Sequence, residues 1–320
     1  MSMPTLSPKR DPILTAFVTE FKGPEFVGDT IFPIFESKNR TIQYAQMDKL
    51  NLFQSVDDTL ARDGEANEVG YGASKASEIM RNFALRATIT KEDVEDAEDW
   101  DDVAMNAADT LRQTLALRRE MRQAGLLFSA LDGAGRSEDP GNWAEYGAGA
   151  VDVLTQVRGK ANDALYPYTH LVMPKQVKVV LERHPKLLAE YFAGTSGQKL
   201  LSLDNLKELF GVPNIVVPDG RMSIQRRPTA ITGSLDNLSR IWGNHLFMIR
   251  VPTALPSRTA PACTYQFRRR WSKTVGDNMQ VRTWEEPKKG IGGAYVIQQE
   301  YQALDKVFSE MGYVFKNVLA

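Results

Sequence analysis

The chain has 320 residues, enough for one elaborate domain or two to three subdomains sharing a core. Lys plus Arg (39) and Asp plus Glu (40) leave a formal net charge of −1, so the basic excess with which dedicated nucleic-acid binders grip phosphate is absent. The single cysteine, Cys263, excludes an intrachain disulfide and a cysteine-rich zinc site, and no run of ~18 apolar residues offers a membrane span.

Met1 to Arg10 is polar, holds two prolines and lacks the basic-then-apolar order of a secretory signal. Residues 1–38 show no sustained helical or strand period, being punctuated by Pro4, Pro8, Pro12, Pro24 and Pro33. They are nevertheless apolar: Phe17, Phe21, Phe26, Ile31, Phe32 and Phe35 recur. Free linkers are poor in aromatics, so this arm should lie on its own domain or on a neighbour. Two long strands follow, 41–56 and 78–90; in the second, Ile79, Arg81, Phe83, Leu85, Ala87 and Ile89 alternate with Met80, Asn82, Ala84, Arg86 and Thr88. The polar, glycine-bearing stretch 57–77 makes the pair a long hairpin with a charged tip. A hairpin alone is marginal in water, so one this long should lean on another chain.

Residues 91–128 predict a helix of roughly 55 Å. Thr90 and Asp93 form a capping-box pattern, and Ala97, Trp100, Ala104, Ala107, Ala108, Leu111 and Leu115 recur at helical spacing. Eight of the eleven residues from Glu92 to Asp102 are acidic, whereas Arg112, Arg118, Arg119 and Arg122 lie toward the far end, an order that suits the helix dipole. A glycine-rich loop over 129–147 leads to a second amphipathic helix near 148–165. Then come a strand over His170 to Met173, a helix opened by Pro174 and broken or kinked at Pro185, and a short helix from Leu203 stopped by Gly211. Asn214 to Val217 reads as a buried-type strand before the turn Pro218-Asp219-Gly220. Strands at His245–Val251, Gln280–Glu286, Ala294–Tyr301 and Tyr313–Leu319 complete an α+β chain without regular βαβ alternation.

Catalytic patterns fail on inspection. His170, His184 and His245 have no metal-ligand spacing, and His184, beside Pro185, reads as a surface or packing residue. Gly159-Lys160 lacks the rest of a phosphate-binding loop, Gly194 to Gly197 has the wrong spacing for a nucleophile elbow, and Gly290, Gly292 and Gly293 read as a hairpin turn. The acidic stretch lacks calcium-loop spacing and reads as a solvated helix start. The cluster Arg268-Arg269-Arg270, flanked by Phe267, Trp271 and Lys273, could face DNA or make salt bridges to a neighbouring subunit; the neutral chain favours the second.

The arrangement resembles the major capsid proteins of tailed bacteriophages, with their Hong Kong 97-type fold, over roughly residues 30–320. The resemblance lies in Arg62-Asp63-Gly64 with Tyr71 and the strand from Phe83 to Ile89, and in the acidic start of 91–128. It continues through Trp143, His170 to Pro174, Leu209-Phe210-Gly211-Val212-Pro213-Asn214-Ile215-Val216-Val217 and Ile241-Trp242-Gly243-Asn244. It ends in Thr283-Trp284-Glu285-Glu286 and Tyr295 to Tyr301.

The resemblance implies an N-terminal arm (1–38), an extended loop (39–90), a peripheral domain with a spine helix (91–144) and an axial domain (145–255). Peripheral strands (256–293) and C-terminal strands returning to the axial domain (294–320) would follow. Copies would assemble into pentamers and hexamers of an icosahedral shell around double-stranded DNA, in a virion built in the host cytoplasm. No cofactor or metal is implied. A portal and a decoration protein are conceivable partners, as is a scaffolding protein made separately, because the chain begins almost at the arm. Candidate subunit contacts are Phe17, Phe21, Arg62, Asp63, Arg81, Glu286 and Lys288. Some relatives join a loop lysine to an asparagine; Lys49, Lys75 and Asn278 are conceivable, but no acidic catalyst is identifiable and a cross-link is not expected. An encapsulin-type shell around cargo enzymes is the nearest alternative, and a soluble hydrolase with an unrecognised site is the more distant one.

Overall fold

The structure, a computed structural model, describes residues 9–10, 26–47, 58–59, 64–66, 73–95, 100–147, 149–192, 200–223, 238–255, 261–271, 278–290 and 292–319. Two sheets share one long helix.

The larger sheet has six strands. Its centre is Ala294–Val307 (β14), whose 14 residues extend about 48 Å. Arg81–Thr90 (β5) pairs along one side of β14; Gln280–Glu286 (β13) and Thr264–Arg269 (β12) follow each other along the opposite side. The outer strands are Lys9–Arg10 (β1) on β13 and Ile34–Ser37 (β2), parallel to β12. Against β5 and β14 lies the helix Trp100–Gly133 (α3), preceded by the short helix Lys91–Glu95 (α2). At 1.5 Å per residue α3 is about 51 Å long, a match to β14. Ala104, Ala108, Leu111 and Leu115 bury one helical stripe against Ile89, Val281, Ile297 and Tyr301.

The helix does not stop at 128, shortly after Gly125. It runs about one and a half turns further, to Gly133, because Leu127 and Leu131 are fully buried against Phe247, Ile249 and Val314 of the second sheet. Glycine costs about 1 kcal/mol in a helix interior. Burying one leucine contributes roughly 1.5–3 kcal/mol, so packing wins over propensity.

The second sheet has five short strands in the order Ser137–Glu138 (β6), Gly312–Phe315 (β15), Leu246–Ile249 (β11), His170–Val172 (β7) and Asn214–Val216 (β8); Arg221–Ser223 (β9) and Leu238–Arg240 (β10) pair with each other as a separate ribbon. Four helices pack on it: Val153–Asn162 (α4), Lys175–Glu182 (α5), Pro185–Tyr191 (α6) and Leu203–Phe210 (α7). Local chemistry fixes their ends. The Asp152 carboxylate accepts from Thr155 N at 3.1 Å, and Ser202 Oγ accepts from Asn205 N at 3.2 Å. Gly211 closes α7 at φ 67°. Pro185 is the first residue of α6, so the expected interruption is a clean break, with Pro174 just outside α5. Gly312 lets β15 approach α3: a Cβ there would lie 2.8 Å from both Cys263 Sγ and Leu131 Cδ2.

Several expectations are corrected. The hairpin pairs Thr41–Met47 (β3) with Ala73–Ile79 (β4), whereas β5 belongs to the large sheet. The two strands read as one from 78 to 90 part at Met80, which donates its N–H to Arg40 O at 3.0 Å and buries its side chain beside Tyr44, Tyr265 and Phe267. Ile79 is consequently 60% exposed. The base of the hairpin therefore rests on its own subunit. Residues 26–37 lie on their own subunit, one of the two placements expected of the arm. Gly28–Ile31 (α1) and β2 are built into the subunit, and Ile31 and Phe32 are fully buried among α3, β11 and β15. The helix near 148–165 is the shorter α4. β8 is a half-exposed edge strand instead of a buried one, because only β7 pairs with it among the described residues. β14 is longer than expected, and β12 had no strand signal of its own.

Candidate assembly surfaces

A polar network fastens residues 26–37 to the subunit. Glu120, near the middle of α3, is 1% exposed. Its carboxylate accepts from Trp242 Nε1 at 2.7 Å and from Gly28 N at 3.3 Å. Burial nevertheless holds its pKa above the usual carboxylate value, against the pull of those two donors. Thr264 Oγ1 donates to Ile31 O, and Gln266 N donates to Pro33 O at 3.2 Å. Asp29 accepts from Arg119 at 2.9 Å and from Arg268 at 3.2 Å.

That network takes up part of the arginine triplet. Arg268 is 3% exposed, with Nε on Gln266, one terminal nitrogen on Asn278 at 3.3 Å and its guanidinium over the Tyr301 ring. Burial pushes its pKa down to about 10. It is a structural ion inside the subunit and is withdrawn from any DNA-facing surface of this fold. The alternation of β12 splits the triplet. Arg269 turns to the other face, donating to Gln302 at 3.1 Å and lying 4.8 Å from the Trp271 ring centroid; Arg270 is half-buried. Asn278 donates to Glu36 Oε1 at 3.0 Å, while the side chains of Lys49 and Lys75 lie outside the described residues.

The hairpin base is clamped similarly. Glu78 on β4 accepts from Tyr44 on β3 and from Lys306 on β14, and Tyr44 packs edge-on against Phe308. These bonds hold the Glu78 carboxyl below its usual value although burial opposes them.

The candidate subunit contacts do not form one patch. Phe17, Phe21, Arg62 and Asp63 lie outside the described residues. Arg81 is exposed at one end of β5, in register with Ala303. Glu286 pairs with Ala294 at the opposite end of β14, about 30 Å away, and its carboxylate lies 3.7 Å from Lys289. Lys288 is exposed beside it, in the turn where Gly290, Gly292 and Gly293 all adopt positive φ. That turn is the expected hairpin connection.

No catalytic constellation emerges among the described residues. They hold no group of three or more His, Cys, Asp or Glu able to bind a metal, and no helix long and apolar enough to cross a membrane. The segment Gly194–Gly197 lies outside them. His170 contacts Thr169 Oγ1, and His245 stacks on Phe128 and accepts from Asn317 N. His184 is fully buried, the packing residue of the two readings the sequence left open; among the described residues neither ring nitrogen has a hydrogen-bond partner, and burial lowers its pKa.

No family model matches the chain. It is 20% identical over 312 residues to a curated major capsid protein of Pseudomonas phage JBD67, covering 97% of both chains. Among solved structures, a phage-related protein from Bordetella bronchiseptica matches with a TM-score of 0.67 at 17% identity, over 98% of each chain. A chain from Microbacterium phage Oxtober96 matches at 0.52 and 9% identity, over 92% of this chain and 93% of that one. A chain of an encapsulin complex from Synechococcus elongatus gives 0.52 at 11% identity, over 97% and 96%.

Proposed function

We infer that this chain, whose fold is the Hong Kong 97-type α+β fold, is a major capsid protein that self-assembles into the icosahedral head of a phage. The observation that carries the reading is coverage: the likeness to a phage major capsid protein runs over 97% of both chains, with the fold matched end to end by a phage-related structure. The encapsulin-like reading shares the fold, and what separates the two is the sequence relative, which is a phage protein.

In this reading copies form pentamers and hexamers around double-stranded DNA, assembled in the host cytoplasm, and the protein performs no catalysis. The six-stranded sheet with α3 is the peripheral domain and the five-stranded sheet with α4–α7 the axial domain. Part of the arm and all of β5 belong to the first. Phe17, Phe21, Arg62, Asp63, Arg81, Glu286 and Lys288 remain proposed contacts, and a scaffolding protein, portal and decoration protein remain proposed partners.

Expression of the full chain followed by sedimentation and negative-stain microscopy tests this. Closed shells are expected, with nuclease-protected DNA in particles from a native lysate. Packaged enzyme without a genome would favour the encapsulin reading. A dispersed small oligomer under every assembly condition would overturn both.

A further inference from the structure

Glu120 and Asp305 flank one amide. Gln123 is fully buried on α3, about one turn beyond Glu120, and its Nε2 donates to Asp305 Oδ1 at 3.3 Å. The neighbouring amide is oriented too. Arg268 has donors only, so Gln266 gives it the oxygen at 3.2 Å and turns its own Nε2 to Asp305 Oδ1 at 2.8 Å. Gln123 Oε1 faces away from Asp305, and among the described residues it has no partner. It lies beside the Glu120 carboxyl: a Cβ on Gly28 would collide with Gln123 Oε1 and sit 3.7 Å from Glu120 Oε2.

An ionised Glu120 offers acceptors only. It takes the N–H groups of Trp242 and Gly28 and has nothing to give Gln123 Oε1. That oxygen would stay unsatisfied in a low-dielectric interior, where an unpaired polar group is costly. Turning the Gln123 amide over does not help, because its oxygen would then meet the Asp305 carboxylate. An amide has one donating end and two carboxyls flank it, so one of the pair needs a proton. Asp305 is half-buried and has the Gln266 amide besides; Glu120 is 1% exposed, and burial favours its neutral form. No described cation forms an ion pair with it. Arg119 on α3 and Arg268 on β12 both reach Asp29 of α1, and Arg122 lies over the Phe83 ring. Asp219, next to the Gly220 that packs on Glu120, holds Lys175 and Arg240.

We propose that the folded subunit holds a proton on Glu120 Oε2, donated to Gln123 Oε1, and that this proton latches residues 27–32 onto α3. The hydroxyl oxygen still accepts from Gly28 N and the other oxygen keeps Trp242, so every polar group at the site is satisfied at once. Three segments meet on this one carboxyl: α3, the entering chain at Gly28, and the turn after β10 that carries Trp242. Loss of the proton sets a buried charge against Gln123 Oε1 and loosens the seat of Gly28 to Phe32. The raised pKa of Glu120 has the sign this requires. A proton held in the seated state and released in the open one makes seating complete below pH 4.5. Above that, the seating equilibrium falls about tenfold per pH unit and levels beyond the folded value. The latch belongs to the single subunit and does not rest on the shell reading.

Hydrogen exchange of the full-length chain, as dissociated subunits, tests this at the amides of Ile31 and Phe32, which donate to Val27 O and Gly28 O. Their protection factors, with the intrinsic pH dependence divided out, should follow the profile just given. In Glu120→Gln they should not change with pH. The new amide cannot ionise and keeps a donor for Gln123 Oε1; the bond it gives up, from Gly28 N, is lost equally at every pH. The same pH slope in that variant overturns the latch. Infrared spectra read the proton itself. The parent should show the carbonyl stretch of a protonated carboxyl above pH 4.5, and Glu120→Gln should lack it. Gln123→Met removes the accepting oxygen and should move the loss of that band about one pH unit lower. Absence of the band wherever the amides are protected overturns the proposal, as does an unmoved midpoint in Gln123→Met. Where Glu120→Gln does not fold, Gln123→Met decides alone.

Discussion

Around the five-stranded sheet the buried residues are almost all apolar: Trp143, Val153, Leu171, Leu181, Leu206, Phe210, Met248 and Phe315 pack together, with the His184 imidazole buried beside them. Around the six-stranded sheet and α3 the buried set includes Arg112, Glu120, Gln123, Thr264, Gln266, Arg268, Gln280 and Gln299. The first region is held by packing, which is non-directional and tolerant of volume-conserving change. The second adds hydrogen bonds that accept one geometry, and those bonds, together with the buried Ile31 and Phe32, seat residues 28–36. The six-stranded region therefore specifies where the incoming chain lies, while the five-stranded region is held by apolar packing.

The largest expected effect tests that seating. Phe32→Ala should destabilise the subunit by about 3–5 kcal/mol, because it opens a cavity where both sheets meet α3. Denaturant unfolding of dissociated subunits measures it. Removal of residues 1–25 should by contrast leave the fold intact and impair shell closure, whereas a cut extending past Phe32 should unfold it. Normal particles from the shorter deletion would show that the arm is dispensable.

A second test asks whether every buried polar group in the peripheral core contributes. Gln299 is fully buried on β14, facing α3 between Ile297 and Tyr301, and among the described residues neither its amide nitrogen nor its oxygen has a partner. Replacing it with leucine should raise stability by about 1–3 kcal/mol, the penalty of unsatisfied buried polar groups. A lower midpoint would mean that the amide is bonded after all.

Gly125→Ala should add about 1 kcal/mol, since the site is helical and exposed, with nothing within 4 Å of a new Cβ. An unchanged thermal midpoint would show that the glycine does not limit α3.

The last test separates the regions by pH. The lowered pKa of His184 means that the unfolded chain binds its proton more tightly. Its contribution is therefore complete above the ordinary value of 6.5 and is lost as pH falls through the folded value. Glu120 has the opposite sign. Its raised pKa gives a contribution present below 4.5 and lost as pH rises through the folded value. Thermal midpoints of His184→Phe should fall less than the parent's below pH 6.5, with little difference above it. A parallel pair of curves would remove His184 as the cause.

Much of the five-stranded region was legible in the sequence. Asp152, Ser202, Gly211 and Pro185 act on neighbours a few residues away, so the helix ends they set could be read locally. The stripe Ala104, Ala108, Leu111, Leu115 likewise declares its own buried face. The candidate surface was less legible. Arg81 and Glu286 were visible as charges, but not that β14 holds their ends of the sheet about 30 Å apart.

What the sequence determined by itself was the order of elements, the α+β class and the long helix, because periodicity and capping are short-range. Only the tertiary structure decided that Met80 ends the hairpin, that β2 enters the sheet parallel to β12, and that Arg268 is buried while Arg269 turns away. The reason is distance along the chain. Asp29 and Arg268 are separated by 239 residues, and Gly28 and Glu120 by 92. No local pattern encodes such partners; they exist only once both sheets have closed on α3.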